Sequence, residues 1–161
     1  KVVFYLSIFY NGYNKFTLGG IAMVQLIVGN KGKGKTKHLL DKVNSAIKAA
    51  SGNLVYLDKN SKNMYELNNK IRLIIVSDYP INDCDEFIGF ICGIISQDHD
   101  LEQMYLDNFL VNAHLKQEEI EPAIEKLEKI SNMFHVDFII SVSVDESELP
   151  ETLKEKVVVS L

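Results

Sequence analysis

Between residues 23 and 161 the chain alternates short apolar runs with longer stretches in which apolar residues recur every three or four positions. Val24-Gln25-Leu26-Ile27-Val28 has the length and composition of a buried strand. Leu39, Leu40, Val43, Ala46, Ile47 and Ala50 follow at helical spacing, until Ser51-Gly52-Asn53 stops the helix. Leu54-Val55-Tyr56-Leu57 reads as a second strand, ending at Asp58. Residues 59–70 are polar, with one helical turn expected around Met64 to Leu67. Ile71 to Val76 reads as a further strand, closed by the turn residues Ser77-Asp78-Tyr79-Pro80.

The second half continues the alternation. Asp83-Cys84-Asp85-Glu86 has the D-x-x-E spacing of a capping box, with its acids at the positive end of a helix. The helix behind it, Phe87 to Ile95, is apolar nearly all round and contains Gly89 and Gly93. That leaves open a helix buried by the sheet and a neighbour, or a subunit interface. Met104-Tyr105-Leu106 is a strand ending in Asp107-Asn108. Ile120, Ile124, Leu127, Ile130 and Phe134 mark an amphipathic helix that tolerates Pro122 in its first turn. Val136 to Ser141 is a buried strand, Asp145 to Leu149 an acidic loop, Pro150 the opening of a short helix and Val157 to Ser160 the last strand. Such alternation predicts an α/β fold: a three-layer α/β/α domain with a mostly parallel sheet and its ligand at the carboxyl ends of the strands. A single domain spanning 23–161 is expected.

Residues 1–22 read differently. They lack acidic residues and are rich in Phe, Tyr and Ile. Lys1 followed by the apolar run Val2 to Tyr10 is short for a signal peptide, and no A-x-A pattern follows. An edge strand or a tail is a second reading. The preferred one takes Met23 as the start, with Gly19-Gly20 encoded by a purine-rich ribosome-binding sequence, so that 1–22 is a leader outside the native protein.

The chemistry sits between the first strand and helix. Gly29-Asn30-Lys31-Gly32-Lys33-Gly34-Lys35-Thr36 fits G-x-x-x-x-G-K-[ST] at every fixed position, the phosphate-binding loop or Walker A motif. Glycines let successive N–H groups turn inward around phosphates, where a Cβ would obstruct them. Lys35 is placed to meet the β- and γ-phosphates, and the Thr36 hydroxyl to ligate Mg²⁺. The helix behind points its positive end at the anion. Strand, loop and helix are the context the motif requires, and Lys37 extends the basic alternation.

The net charge of −5 argues against a general nucleic-acid or membrane-surface binder, and the local run of lysines suits a small polyanion. Cys84 and Cys92 offer neither C-x-x-C nor a four-ligand zinc spacing, so reduced thiols and a cytoplasmic setting are expected. The four histidines are scattered, and no apolar run reaches transmembrane length.

A P-loop NTPase also needs a carboxylate ending an apolar strand, the Walker B Asp. Asp58, Asp78 and Asp107 each close or follow such a run. Residues 24–161 resemble the RecA-like branch of the P-loop NTPases, in which the Walker B strand lies away from the phosphate-loop strand. The layout over 24–108 is similar to type II thymidine kinases, and the size to small bacterial proteins labelled as pilus-retraction ATPase relatives. The resemblance implies Asp107 as the Walker B residue, with Asp58 second, and Thr36 and Asp107 holding Mg²⁺; with no N-K-x-D tetrad to read guanine, ATP is favoured over GTP. The same resemblance implies a catalytic Glu close to Asp107. Asn108 occupies that place and cannot act as a base, although a glutamate there would restore a carboxylate; Glu118 and Glu119 are the substitutes. The resemblance also implies a γ-phosphate contact from Ser141 or Ser143, although a turn or capping serine is the preferred reading of both. Arg72 is the only arginine, so an arginine finger would have to come from a homo-oligomer or a protein partner. The expectation is Mg-dependent ATP binding with weak or partner-dependent hydrolysis. A non-hydrolysing regulatory or assembly module and a small-molecule kinase are the alternatives.

Overall fold

In the computed structural model, residues 23–161 are described, and the readings of 1–22 lie outside the described residues. Six strands form one all-parallel sheet: β1 (Val24–Val28), β2 (Asn53–Asp58), β3 (Arg72–Ile75), β4 (Leu101–Leu106), β5 (Asp137–Val142) and β6 (Val157–Ser160), in the order β3-β2-β4-β5-β1-β6. The helices are α1 (Lys35–Ala46), α2 (Cys84–Ser96), α3 (Phe109–Asn112), α4 (Ile120–Phe134) and α5 (Glu151–Lys154). The three-layer α/β/α fold expected from the alternation is present.

The direction of travel across the sheet determines which layer each connection joins. Right-handed crossovers put connections running opposite ways on opposite faces. From β1 to β2 to β3 the chain moves one way, so α1 and the 59–71 segment share a face, where Leu39, Leu40, Val43 and Ile71 pack on Ile27, Leu54, Tyr56, Tyr105 and Ile139. From β3 through β4 and β5 to β6 it moves back, and α2, α3, α4 and α5 cover the other face. There Phe87, Ile91, Phe109, Ile124, Leu127 and Leu153 join Leu26, Leu57, Leu106 and Ile140 in the larger core. Among the described residues, no helix is long and apolar enough to cross a membrane.

Local details depart from the sequence reading. No helical turn forms around Met64 to Leu67. The segment runs as hydrogen-bonded turns, with Met64 N–H donating to Ser61 and Glu66 N–H to Asn63. The third strand is shorter than Ile71–Val76, because Val76–Asp78 winds into a single 3₁₀ turn. Asp83 caps α2 by accepting the Glu86 N–H (2.9 Å), an interaction worth about 1 kcal/mol. The reciprocal half shifts by one residue, since the Glu86 carboxylate takes Asn82 N–H. The apolar α2 buries Phe87, Ile91, Ile94 and Ile95 and leaves Gly89 and Gly93 on an exposed outer stripe. The one-turn α3 directly after Asn108 was not foreseen. Asn112 from its end donates to the Asp107 carbonyl (2.8 Å), which holds the turn closed beneath the site.

Candidate functional site

The loop of residues 29–36 joins the end of β1 to the start of α1, at the carboxyl edge of the sheet. Gly29, Gly32 and Gly34 all have positive φ (145°, 87° and 91°), which side chains other than glycine rarely adopt. Gly29 is doubly constrained: a Cβ there would lie 2.7 Å from the Leu161 carbonyl oxygen. Gly34 takes the place of a capping side chain at the head of α1, in the left-handed conformation. Among the described residues, no acceptor meets the N–H groups of Lys31, Gly32, Gly34, Lys35 and Thr36. The loop is therefore a cluster of free donors at a helix amino end, which attracts an anion.

Lys35 is buried, with its ammonium donating to the Asn30 carbonyl across the loop (3.0 Å). Desolvation lowers its pKa, and the Asp107 carboxylate partly offsets that. Lys31, Lys33 and Lys37 are exposed on the rim, beside the exposed Asn30. Acidic groups flank the cradle as well. Gly29 N–H donates to the Val144 carbonyl (2.9 Å), which brings the Asp145–Leu149 loop alongside the lysines.

Beneath the cradle the strands align their polar ends. The register pairs Leu57 with Leu106 and Leu106 with Ile140, so Asp58, Asp107 and Ser141 stand one step further on, side by side across β2, β4 and β5. Strand side chains alternate faces, so these three share the α1 face with Tyr56, Tyr105 and Ile139. Asp107 is almost wholly buried and saturated. Its Oδ2 accepts the Thr36 hydroxyl at 2.8 Å and the Tyr56 hydroxyl at 3.3 Å. Its Oδ1 accepts the Ser141 hydroxyl at 2.5 Å and the Asn108 N–H at 2.9 Å. Burial, reinforced by Asp107 and Asp58, drives the Tyr56 phenol well above its ordinary pKa, so it stays a donor.

Asp58 is equally buried. Its Oδ1 accepts the Lys59 N–H (2.6 Å) and the Asn108 side-chain amide (3.2 Å), and its Oδ2 accepts the Asn63 amide (3.0 Å). Desolvation and then Asp107 raise its pKa, while the three donors pull it back. Asn108 sits at φ 51° between the two carboxylates, in a left-handed conformation that asparagine tolerates better than most residues.

Several of the residues singled out from sequence thus converge: Lys35, Thr36, Asp58, Asp107, Asn108 and Ser141. Others stay apart. Glu118 and Glu119 lie in an exposed turn before α4, where Glu119 accepts the Lys116 N–H, and neither bonds to the carboxylates or the loop. Ser143 is exposed. Arg72 begins β3, at the amino end of an edge strand, which is the opposite end of the sheet from the loop. Tyr56 and Asn63 join the site without having been anticipated. Tyr56 had a readable signal, since it stands two places before Asp58 and so shares its face.

Thr36 Oγ1 and Asp107 Oδ2 suit a small hard cation. Their 2.8 Å separation is close to the roughly 3.0 Å expected between adjacent oxygens of an octahedron with Mg–O distances of about 2.1 Å. Among the described residues no cluster of three or more His, Cys, Asp or Glu could hold a metal alone. A cation held by Thr36 and Asp107 would take its remaining ligands from outside these side chains. Compared with known proteins, the chain matches no family model and no curated protein.

Proposed function

We propose that the protein binds MgATP at Gly29 to Lys37 and hydrolyses it slowly. The observation that carries this reading is the Thr36–Asp107 hydrogen bond, which joins a cradle of free N–H donors to a buried carboxylate from a strand 71 residues away. Backbone donors and Lys35 would hold the phosphates. Thr36 and Asp107 would hold Mg²⁺, which when bound neutralises charge on the β- and γ-phosphates. The order β4-β5-β1 leaves one strand between the Asp107 strand and the loop strand, which supports the likeness to the RecA-like branch.

Asp58 is the carboxylate best situated to orient a water. It neighbours Asp107 on the loop side of the sheet, and burial raises its proton affinity toward what a base needs. Three N–H donors already occupy it, and no arginine stands near the loop. Both facts favour binding over turnover, with rates below the roughly 1 to 10³ per second of ordinary enzymes. A partner supplying an arginine would raise the rate. Calorimetric titration of purified protein with MgATP, paired with ADP release in single-turnover mixtures, tests the reading. Saturable binding with slow release is the expected result, and absence of binding would overturn it.

A further inference from the structure

The segment from Lys59 to Lys70 leaves β2 at the site and crosses the α1 face to the start of β3. Its middle buries nothing. Residues 60–66 are exposed or half-buried, with Met64 at 46% and Tyr65 at 90% exposure. Side chains tether it at three points, the first being the Ser77 hydroxyl, which donates to the Lys59 carbonyl (2.7 Å) where the segment leaves β2. At the far end the Asn44 amide donates to the Glu66 carbonyl (2.7 Å) and accepts the Asn68 N–H (2.8 Å). At the near end the only side-chain link between residues 60–66 and the site, among the described residues, is the Asn63 amide on Asp58 Oδ2.

A carboxylate has about four acceptor positions, and three of those on Asp58 are filled by N–H groups. Lys59 N–H is fixed by the backbone, and Asn108 by its place beside Asp107. Asn63 is the donor that can leave, since it stands on a segment with no buried side chains. Its bond occupies an acceptor position on Oδ2 and fixes the orientation of the carboxylate.

We propose that Asn63 is a restraint on the Asp58 carboxylate, and that freeing it both releases the 60–66 segment and raises turnover. This rests on the reading of the site as an ATPase centre. When a triphosphate is bound, a water ordered against Asp58 competes with the Asn63 amide for the carboxylate. The exposed segment therefore reports the state of the site, and a change imposed on the segment is felt at Asp58. Asn63 acts through Asp58 and is a positioning residue.

The chain contains no tryptophan, so Tyr65→Trp introduces a single indole at the most exposed point of the segment. In this background, with and without Asn63→Ala, three quantities are measured: MgATP affinity by calorimetry, indole anisotropy with and without MgATP, and single-turnover ADP release. With Asn63 present, MgATP lowers the anisotropy. With Asn63→Ala the anisotropy is low before nucleotide is added and no longer responds, affinity stays within about threefold, and ADP release rises about tenfold. A merely structural asparagine would lower the rate or leave it unchanged, and either outcome with binding intact overturns the proposal. So does an anisotropy that ignores MgATP while calorimetry shows binding, in which case the ATPase reading survives. If neither protein binds MgATP, that reading falls and the restraint falls with it.

Discussion

The sheet face beneath α1 carries polar side chains at both ends of its strands, and the two ends differ in what they can do. At the carboxyl ends stand Asp58, Asp107 and Ser141, close to the start of α1 and its free N–H groups. At the amino ends stand Gln25, Gln103 and Asp137, with Gln103 and Asp137 in register. Each row contains an aspartate whose pKa is raised chiefly by burial, Asp58 above and Asp137 below. Upper carboxylates converge on a hydroxyl, a lysine and donors that lack partners. The lower one accepts the Met23 N–H (3.0 Å), and Gln25 Oε1 beside it finds no partner among the described residues. α1 turns its positive amino end to the first row and its carbonyl end to the second. A perturbed carboxylate marks a site only where other groups converge on it.

The largest effect expected on that contrast comes from Lys35→Ala. It removes the one buried cation among the upper groups, and a charge-assisted contact of about 1.5–3 kcal/mol corresponds to a loss of about 10- to 100-fold in MgATP affinity. Circular dichroism should show an unchanged fold. Unaltered affinity by calorimetry would reduce the upper row to the standing of the lower.

Asp107→Asn ranks next and acts on the metal. Wild-type affinity should drop when EDTA removes Mg²⁺, and the variant should show at most about a tenth of that Mg²⁺ dependence. Its thermal stability should also fall, because the Thr36, Tyr56 and Ser141 hydroxyls lose a charged acceptor. Should Asp58→Asn abolish the Mg²⁺ dependence while Asp107→Asn preserves it, the roles are exchanged. Otherwise Asp58→Asn should leave affinity near wild type and slow single-turnover hydrolysis by about 10²-fold.

How much of this was legible beforehand depends on the range of the signal. The loop of residues 29–36 is contiguous, and the motif it fits is written in eight successive residues. The strands were legible because burial on both faces leaves unbroken apolar runs such as Leu54-Val55-Tyr56-Leu57. Asp58 and Asp107 could be seen as strand ends, but not that β2 and β4 are neighbours, which depends on the strand order. For the same reason Glu118 and Glu119 looked available until α4 proved to pack on the other face. Asn108 looked like a missing base. It instead donates to Asp58 from a left-handed backbone, so a glutamate at 108 would add strain and a like charge beside Asp58. Asn108→Glu should therefore destabilise the protein without a gain in rate. Asn63 carried no signal, since its role comes from a turn in a polar segment.

The smallest effect, and the control for the whole comparison, is Asp137→Asn. Raised by burial, Asp137 binds its proton more tightly in the folded chain than in the unfolded one. Where the folded group is protonated and the unfolded group is not, the native state carries the extra proton and stability falls as pH rises. That window opens near the ordinary aspartate value of about 3.9 and closes at the raised folded value; above it the cost of the buried charge is fully present. Asparagine removes the charge and keeps an oxygen for the Met23 N–H. Melting temperatures should accordingly show Asp137→Asn equal to or above wild type at pH 7, with the difference shrinking as pH falls toward 4. The carboxylate is half-buried, so water screens it and the gain should be under about 1 kcal/mol. MgATP affinity and hydrolysis should not change, because nothing at the amino ends of the strands faces the loop. A melting temperature lowered at pH 7 would show that the charge-assisted bond from the Met23 N–H outweighs the cost of burying Asp137, and a loss of MgATP binding would show that the two rows are not independent.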